Sequence, residues 1–239
     1  MANQSRTVFI SGANSGIGFA TTELLLQRGF SVIAHYNRND VNLVGLSHNR
    51  LSLVQADFSS NADIEKLNKE LRVKNIDIII NNAAIYFYRP SLFEVKTDDV
   101  AETFSVNFVT PLQIIQTALP NMIAKKWGRI INVSSVSVDH GGFSGSIDYT
   151  ASKAALETLT LSLAKTFSKN NILVNAIRVG VTDTNIHQLN PQKNLRERAK
   201  LIPIRRIAQP QEIAEAIGFL CSDKASFITG AIFPVTGGE

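Results

Sequence analysis

Short apolar, β-branched runs recur along this chain, and between them lie longer segments whose apolar residues fall three and four apart. No other feature limits the possible folds as strongly. The runs are residues 7–11, 31–35, 51–55, 76–81, 129–134 and 173–178, with a seventh at 231–235. Strands this uniformly apolar are buried on both faces, which is the signature of a parallel sheet. The segments 17–28, 61–74, 98–126, 149–169 and 210–221 have helical spacing and supply the crossovers that parallel strands require. The pattern predicts an α/β fold, a three-layer, doubly wound sheet of about seven parallel strands with helices on both faces. No repeat, low-complexity tract or linker divides the 239 residues, so residues 1–239 read as one domain.

Two connections differ from the rest. Residues 39–50 are short and rich in Asn, so any helix there is stunted. Residues 185–205 are polar and charged, are interrupted by Pro191 and Pro203, and follow a strand that points at the expected ligand side. They read as a mobile substrate lid, and a solvated helix at 192–200 is compatible with that role.

Composition removes several functional classes. A net charge of +4 arises from scattered Lys and Arg with no aromatic interleaving, which argues against nucleic-acid binding. Cys221 is the only cysteine, and His35, His48, His140 and His187 show no metal-ligand spacing, so neither an intrachain disulfide nor a metal site is expected. The first six residues are polar, the apolar stretch 7–10 is too short for a signal-peptide core, and no run reaches membrane-spanning length. The expectation is a cytoplasmic protein without membrane contact.

Two motifs carry chemistry. The first strand runs into Ser11-Gly12-Ala13-Asn14-Ser15-Gly16-Ile17-Gly18 and then a helix, a dinucleotide-binding context. Glycines let the backbone approach a pyrophosphate, and the helix start offers free N–H groups with a favourable dipole. Further on, Tyr149 and Lys153 lie four apart on one helix face. A phenol titrates near ~10, and bringing it to neutrality takes roughly 4 kcal/mol, which a close ammonium and a cationic nicotinamide ring would supply. Ser135 ends the fifth strand on the side where open α/β sheets bind ligands. His140 invites a hydrolase reading, but the chain lacks a Gly-x-Ser-x-Gly elbow.

With these motifs in this order, the chain resembles the short-chain dehydrogenase/reductase family from Thr7 to Gly238, in a Rossmann-type fold. The glycine turn, Asp57, Asn81-Asn82-Ala83-Ala84, Asn107, Ser135, Tyr149 with Lys153, and Gly237-Gly238 occur in family order. The resemblance implies that Asp57 and the Phe58 amide contact adenine and that the backbone at Asn82 and Ala83 flanks the adenosine ribose. It implies that Thr182 and Thr184 hold the nicotinamide carboxamide and that Lys153 binds the nicotinamide ribose. Ser135 then binds the reacting oxygen, Tyr149 exchanges its proton, and Asn107 holds a water that relays protons to Lys153. A strand-bracing hydrogen bond is the simpler role for Asn81. The chain departs from the family at Ser11 for threonine, Ala84 for glycine and Val179-Gly180 for Pro-Gly.

No carboxylate ends the second strand, and Arg38 offers a donor fork to a 2′-phosphate, which favours NADP(H) over NAD(H) without excluding the latter. The pattern is most similar to 3-oxoacyl-acyl-carrier-protein reductases, so the substrate is expected to be a small molecule or an acyl thioester on an acidic carrier. A basic surface including Arg129 and Lys169 would assist docking, whereas Asn170 and Thr236 depart from that subgroup. Reductases of small ketones, sugars, polyols or steroids fit the same motifs. So does a dinucleotide-binding regulatory protein without turnover, against which the intact Ser135, Tyr149 and Lys153 argue. The two long helices carry apolar residues beyond one stripe, consistent with the homotetramer or dimer that the resemblance implies.

Overall fold

A computed structural model describes residues 6–190 and 194–239. The strands are β1 (Thr7–Ile10), β2 (Ser31–Tyr36), β3 (Leu51–Gln55), β4 (Ile78–Asn81), β5 (Gly128–Ser135), β6 (Ile172–Val179) and β7 (Ile232–Val235). All pair in parallel, in the order β3-β2-β1-β4-β5-β6-β7. The helices are α1 (Gly16–Gln27), α2 (Val41–Gly45), α3 (Asn61–Arg72), α4 (Thr97–Phe104), α5 (Thr110–Lys125), α6 (Ser137–His140), α7 (Ile147–Phe167), α8 (Leu195–Leu201) and α9 (Pro210–Leu220).

Side-chain alternation along each strand divides the core into two layers. Val8 and Ile10 of β1 pack with Leu25 and Leu26 of α1 and with Ile213 and Ile217 of α9. Phe9 points the other way, into a cluster with Leu67 of α3, Ile114 and Met122 of α5, and Ala164 of α7. Ile78, Ile79 and Ile80 of central β4 are completely buried, and each contributes about 1.5–3 kcal/mol by leaving water. The chain reverses its winding between β1 and β4, so the crevice at the carboxyl ends of the strands opens there.

The expected elements are present, with two instructive differences. The helix predicted over 98–126 is α4 and α5 joined by a π-helical turn, Ser105–Val109. Pro111 has no N–H to give the Asn107 carbonyl and its ring crowds that oxygen, so the regular ladder cannot continue through it. The second difference concerns Arg129, expected on a docking surface. It is buried at the start of β5 and packs over the Trp127 ring at 4.3 Å. Lys169 lies in the turn Ser168–Asn170 just before β6. Both therefore lie at the opposite end of the sheet from Ser135 within the chain.

Residues 39–50 form the single short helix α2, anchored by buried Leu43. The segment 185–205, expected as a lid, comprises a 3₁₀ turn at Asn185–Leu189 and the helix α8 among the described residues. The Pro191, Gln192 and Lys193 part of the lid, with the start of the helix expected at 192–200, lies outside the described residues. Among the described residues no helix is long and apolar enough to cross a membrane, and no cluster of His, Cys, Asp or Glu could hold a metal ion.

Candidate active site

Three side chains meet where β5 ends against α7. Ser135 is the last residue of β5, paired with Val179 of β6, and Tyr149 and Lys153 sit on the first turns of α7. Below them, Ser134 donates to Glu157 at 2.6 Å, and Arg178 of β6 clasps the same carboxylate at 3.0 and 2.6 Å. This brace fixes the register of α7 on the sheet and so places Tyr149 beside Ser135. Ser135 and Tyr149 line the same clefts, and the Ser135 hydroxyl accepts from the Ser137 amide at 3.2 Å and from the Ser137 hydroxyl at 3.0 Å.

The electrostatics differ from the sequence expectation. Burial pushes the Tyr149 phenol up to about 12, offset in part by the Ser135 hydrogen bond and reinforced by neighbouring Tyr86. Burial also pushes the Lys153 ammonium down to about 8. Its Nζ donates to the Val133 carbonyl at 2.7 Å and lies 5.7 Å from the Tyr149 ring centre. Desolvation thus outweighs the attraction expected of Lys153, and Tyr149 is held as a neutral phenol, the form that donates a proton.

Asn107 lies in the π-helical turn, fully buried, and its side chain is committed. Oδ1 accepts from the Ile85 amide at 2.8 Å, while Nδ2 donates to the Ile85 carbonyl and to Ser152 Oγ, both at 3.1 Å. Ser152 in turn donates to the Tyr149 carbonyl at 2.7 Å. The side chain therefore ties the exit of β4 to the Tyr149 helix. Asn81 is also structural, donating to Asn132 Oδ1 at 2.8 Å between β4 and β5.

Tyr149 and Ser135 form the wall shared by two clefts. One, of about 350 Å³, runs along Gly12, Asn14, Ser15, Gly16 and Ile17, past Phe58, Asn82 and Ala83, to Lys153, Thr182 and Thr184. The Ser11 hydroxyl accepts from the amides of Asn82 and Ala83 at 3.0 Å, so serine performs the bracing expected of threonine. A Cβ on Gly18 would stand 2.0 Å from the Gly12 carbonyl, which only glycine avoids. With the N-terminus of α1 facing it, this cradle fits a dinucleotide pyrophosphate. Gly18, Asp57 and Arg38 are not part of the lining. Gly18 supports the turn from behind, Asp57 accepts from the Ser59 amide and hydroxyl at 2.9 and 2.7 Å, and exposed Arg38 lies close enough to help hold the Asp57 carboxyl below its usual range.

His35 was missed as a site residue. It is buried at the end of β2, and its Nδ1 accepts from the Gly12 amide at 3.2 Å. Its Nε2 faces the Ala56 carbonyl at 2.9 Å and therefore carries the proton. The ring stacks on Phe58 at 4.0 Å, and burial lowers its pKa to about 4. A polar residue inside an apolar strand was the available signal.

The second cleft, of about 470 Å³, is lined by Tyr86, Tyr88, Val136, His140, Phe143 and Val181 and by Ile186, His187, Asn190 and Arg198 of the lid segment. It is a substrate-sized pocket opening directly onto the Tyr149 phenol.

The sequence model described as Enoyl-(Acyl carrier protein) reductase matches residues 12–239. The chain is 35% identical over 243 residues to the uncharacterized oxidoreductase YmfI of Bacillus subtilis (strain 168), covering 98% of each chain. It is 32% identical over 256 residues to the 3-oxoacyl-[acyl-carrier-protein] reductase FabG of Aquifex aeolicus (strain VF5), covering 98% of this chain and 97% of that one. A solved structure described as a short chain dehydrogenase/reductase family protein superposes with a TM-score of 0.88 at 31% identity, covering 100% and 98% of the two chains. The fold and the cleft pair define an oxidoreductase that uses a nicotinamide dinucleotide. This chain belongs to the short-chain dehydrogenase/reductase family, on its FabG-like side.

Proposed function

We propose that the protein is an NADP(H)-dependent carbonyl reductase that also runs in reverse as an alcohol dehydrogenase. The reading is carried by one observation: Tyr149, beside Ser135, forms the wall between the cleft along the glycine turn and a substrate-sized pocket. A nicotinamide dinucleotide in the first cleft supplies or takes up the hydride. Tyr149 donates its proton to the carbonyl oxygen during reduction and accepts one during oxidation. Ser135 donates a hydrogen bond to the same oxygen and steadies its developing charge. Lys153, Thr182 and Thr184 hold the cofactor's nicotinamide end, with Asp57 and Phe58 at the adenine end. Asn107 serves the proton relay by fixing the β4 exit against α7.

NADP(H) is preferred because β2 ends without a carboxylate and Arg38 is exposed beside Asp57, free to meet a 2′-phosphate. The substrate in this reading is a 3-oxoacyl thioester on a carrier protein or a smaller ketone, and similarity to FabG supports the former. We place the protein in the cytoplasm as a homo-oligomer. Val109, Ile123, Ile147 and Leu161, partly exposed along α5 and α7 and the turn before α5, supply an apolar face for a second copy.

The test is a fluorescence titration with NADPH and NADH, followed by a carbonyl panel that includes a 3-oxoacyl thioester. Tighter NADPH binding with carbonyl-dependent oxidation is the expected result. Tight binding with no turnover on any carbonyl would favour a regulatory dinucleotide-binding protein instead.

A further inference from the structure

Behind the substrate pocket lies a buried charge cluster that the reaction above does not use. Arg89, 6% exposed, follows the loop that leaves β4 and reaches two helical regions. Its Nε and Nη2 donate to Asp99 Oδ2 on α4 at 3.1 and 2.9 Å. Its Nη1 donates to Asp148 Oδ1 at 3.3 Å and to the Gly145 carbonyl at 3.2 Å, at the entrance to α7. The other Asp148 oxygen accepts from Thr103 at 2.8 Å. Asp148 is 2% exposed, so its charge depends on these partners. Only a planar fork bridges such partners at once, which a lysine cannot do.

The cluster sits where a loop needs holding. Tyr86 and Tyr88 lie between two clamps, Ile85 held by Asn107 and Arg89 held by Asp148. Tyr86 meets the Tyr149 ring edge-on, with centres 5.5 Å apart and an 84° interplanar angle. Tyr88 stacks at 6.2 Å on Phe143, which comes from the segment Arg89 anchors through Gly145. A Cβ on Gly145 would lie 1.9 Å from the Arg89 carbonyl, so the two backbones are in direct contact. Asp148 and Tyr149 are adjacent in sequence, so the clamp acts on the segment that presents the phenol.

We propose that Arg89 is a positioning residue whose contacts with Asp148 and Asp99 fix Tyr86 and Tyr88 as the pocket wall facing Tyr149, and thereby limit the bulk of the substrate beside its carbonyl. The kinetic half of this proposal rests on the carbonyl-reductase reading, whereas the clamp itself does not. Arg89→Lys keeps the charge and loses the fork, and Asp148→Asn keeps the shape and loses the charge. Wild type and both variants are compared by hydrogen–deuterium exchange over residues 84–91, by NADPH affinity, and by kinetics on ketones graded in bulk.

In both variants exchange over 84–91 is expected to rise about tenfold, because the segment opens without global unfolding. NADPH affinity is expected to stay within about twofold, while KM rises about fivefold with a smaller change in kcat and the preference for small over bulky ketones weakens about fivefold. Unchanged exchange overturns the clamp, and an unchanged bulk preference overturns its role in selection. Equal losses of NADPH affinity and turnover would mark a general structural role and also overturn the proposal. If the wild-type protein reduces no ketone, the carbonyl reading fails instead, and the exchange comparison alone decides the clamp.

Discussion

The two clefts that share Tyr149 are built by different means. At its glycine turn the dinucleotide cleft is shaped by backbone, with the amides that Ser11 holds and a helix N-terminus. The substrate pocket is shaped by side chains from the β4 exit, α6, the turn before α7 and the lid segment. A backbone site tolerates little change, because an added Cβ collides with main chain. A side-chain pocket can be rebuilt at constant fold by exchanging aromatic and polar residues on loops.

Tyr149→Phe breaks this division most severely. It should lower kcat by about 10²–10⁴-fold while leaving NADPH affinity largely intact, because only the proton-transfer group is lost. Near-normal turnover in stopped-flow or steady-state assays would remove Tyr149 from the acid/base role. Arg38→Ala acts on the other half. It should weaken NADPH binding by ~1.5–3 kcal/mol, the range for a charged hydrogen bond, with little effect on NADH. Equal losses for the two cofactors would reject the phosphate contact.

His35 gives a smaller effect that sharpens the same contrast. Its pKa is about 4 in the fold against an ordinary 6.5, so the unfolded chain takes up the proton first. The stability from neutral His35 is complete above pH 6.5 and is lost as pH falls towards 4, by about 3 kcal/mol if the shift is fully expressed. Urea unfolding across that window should show the loss, and His35→Gln should flatten it. An identical acid profile in the variant would mean that other groups carry the effect. Protonation in the fold would also remove the acceptor that holds the Gly12 amide, so cofactor affinity of the folded protein should fall only as pH nears 4.

Most of the fold was legible because each rule behind it is local. Burial on both strand faces shows as continuous apolar runs, and crossover helices show as a three-and-four spacing. The π-helical turn at Asn107 was less visible, since Pro111 is compatible with an ordinary helix start. Ser135, Tyr149 and Lys153 were found from spacing and position, but the protonation state of Tyr149 was not. That state depends on how much water the surrounding elements remove, and sequence spacing does not measure burial. Arg129 failed for the same reason, as a charged residue at a strand start gives no sign that Trp127 will cover it.

The sequence by itself determined the doubly wound sheet, the glycine turn and the trio at its carboxyl edge, because all three follow from periodicity and from residues with unusual backbone or proton chemistry. Tertiary structure alone decided the His35 hold on Gly12, the commitment of the Asn107 side chain to Ile85, and the Arg89 clamp behind Tyr86 and Tyr88. Each includes a contact between groups more than twenty positions apart, and such a contact exists only after the intervening helices have packed on the sheet.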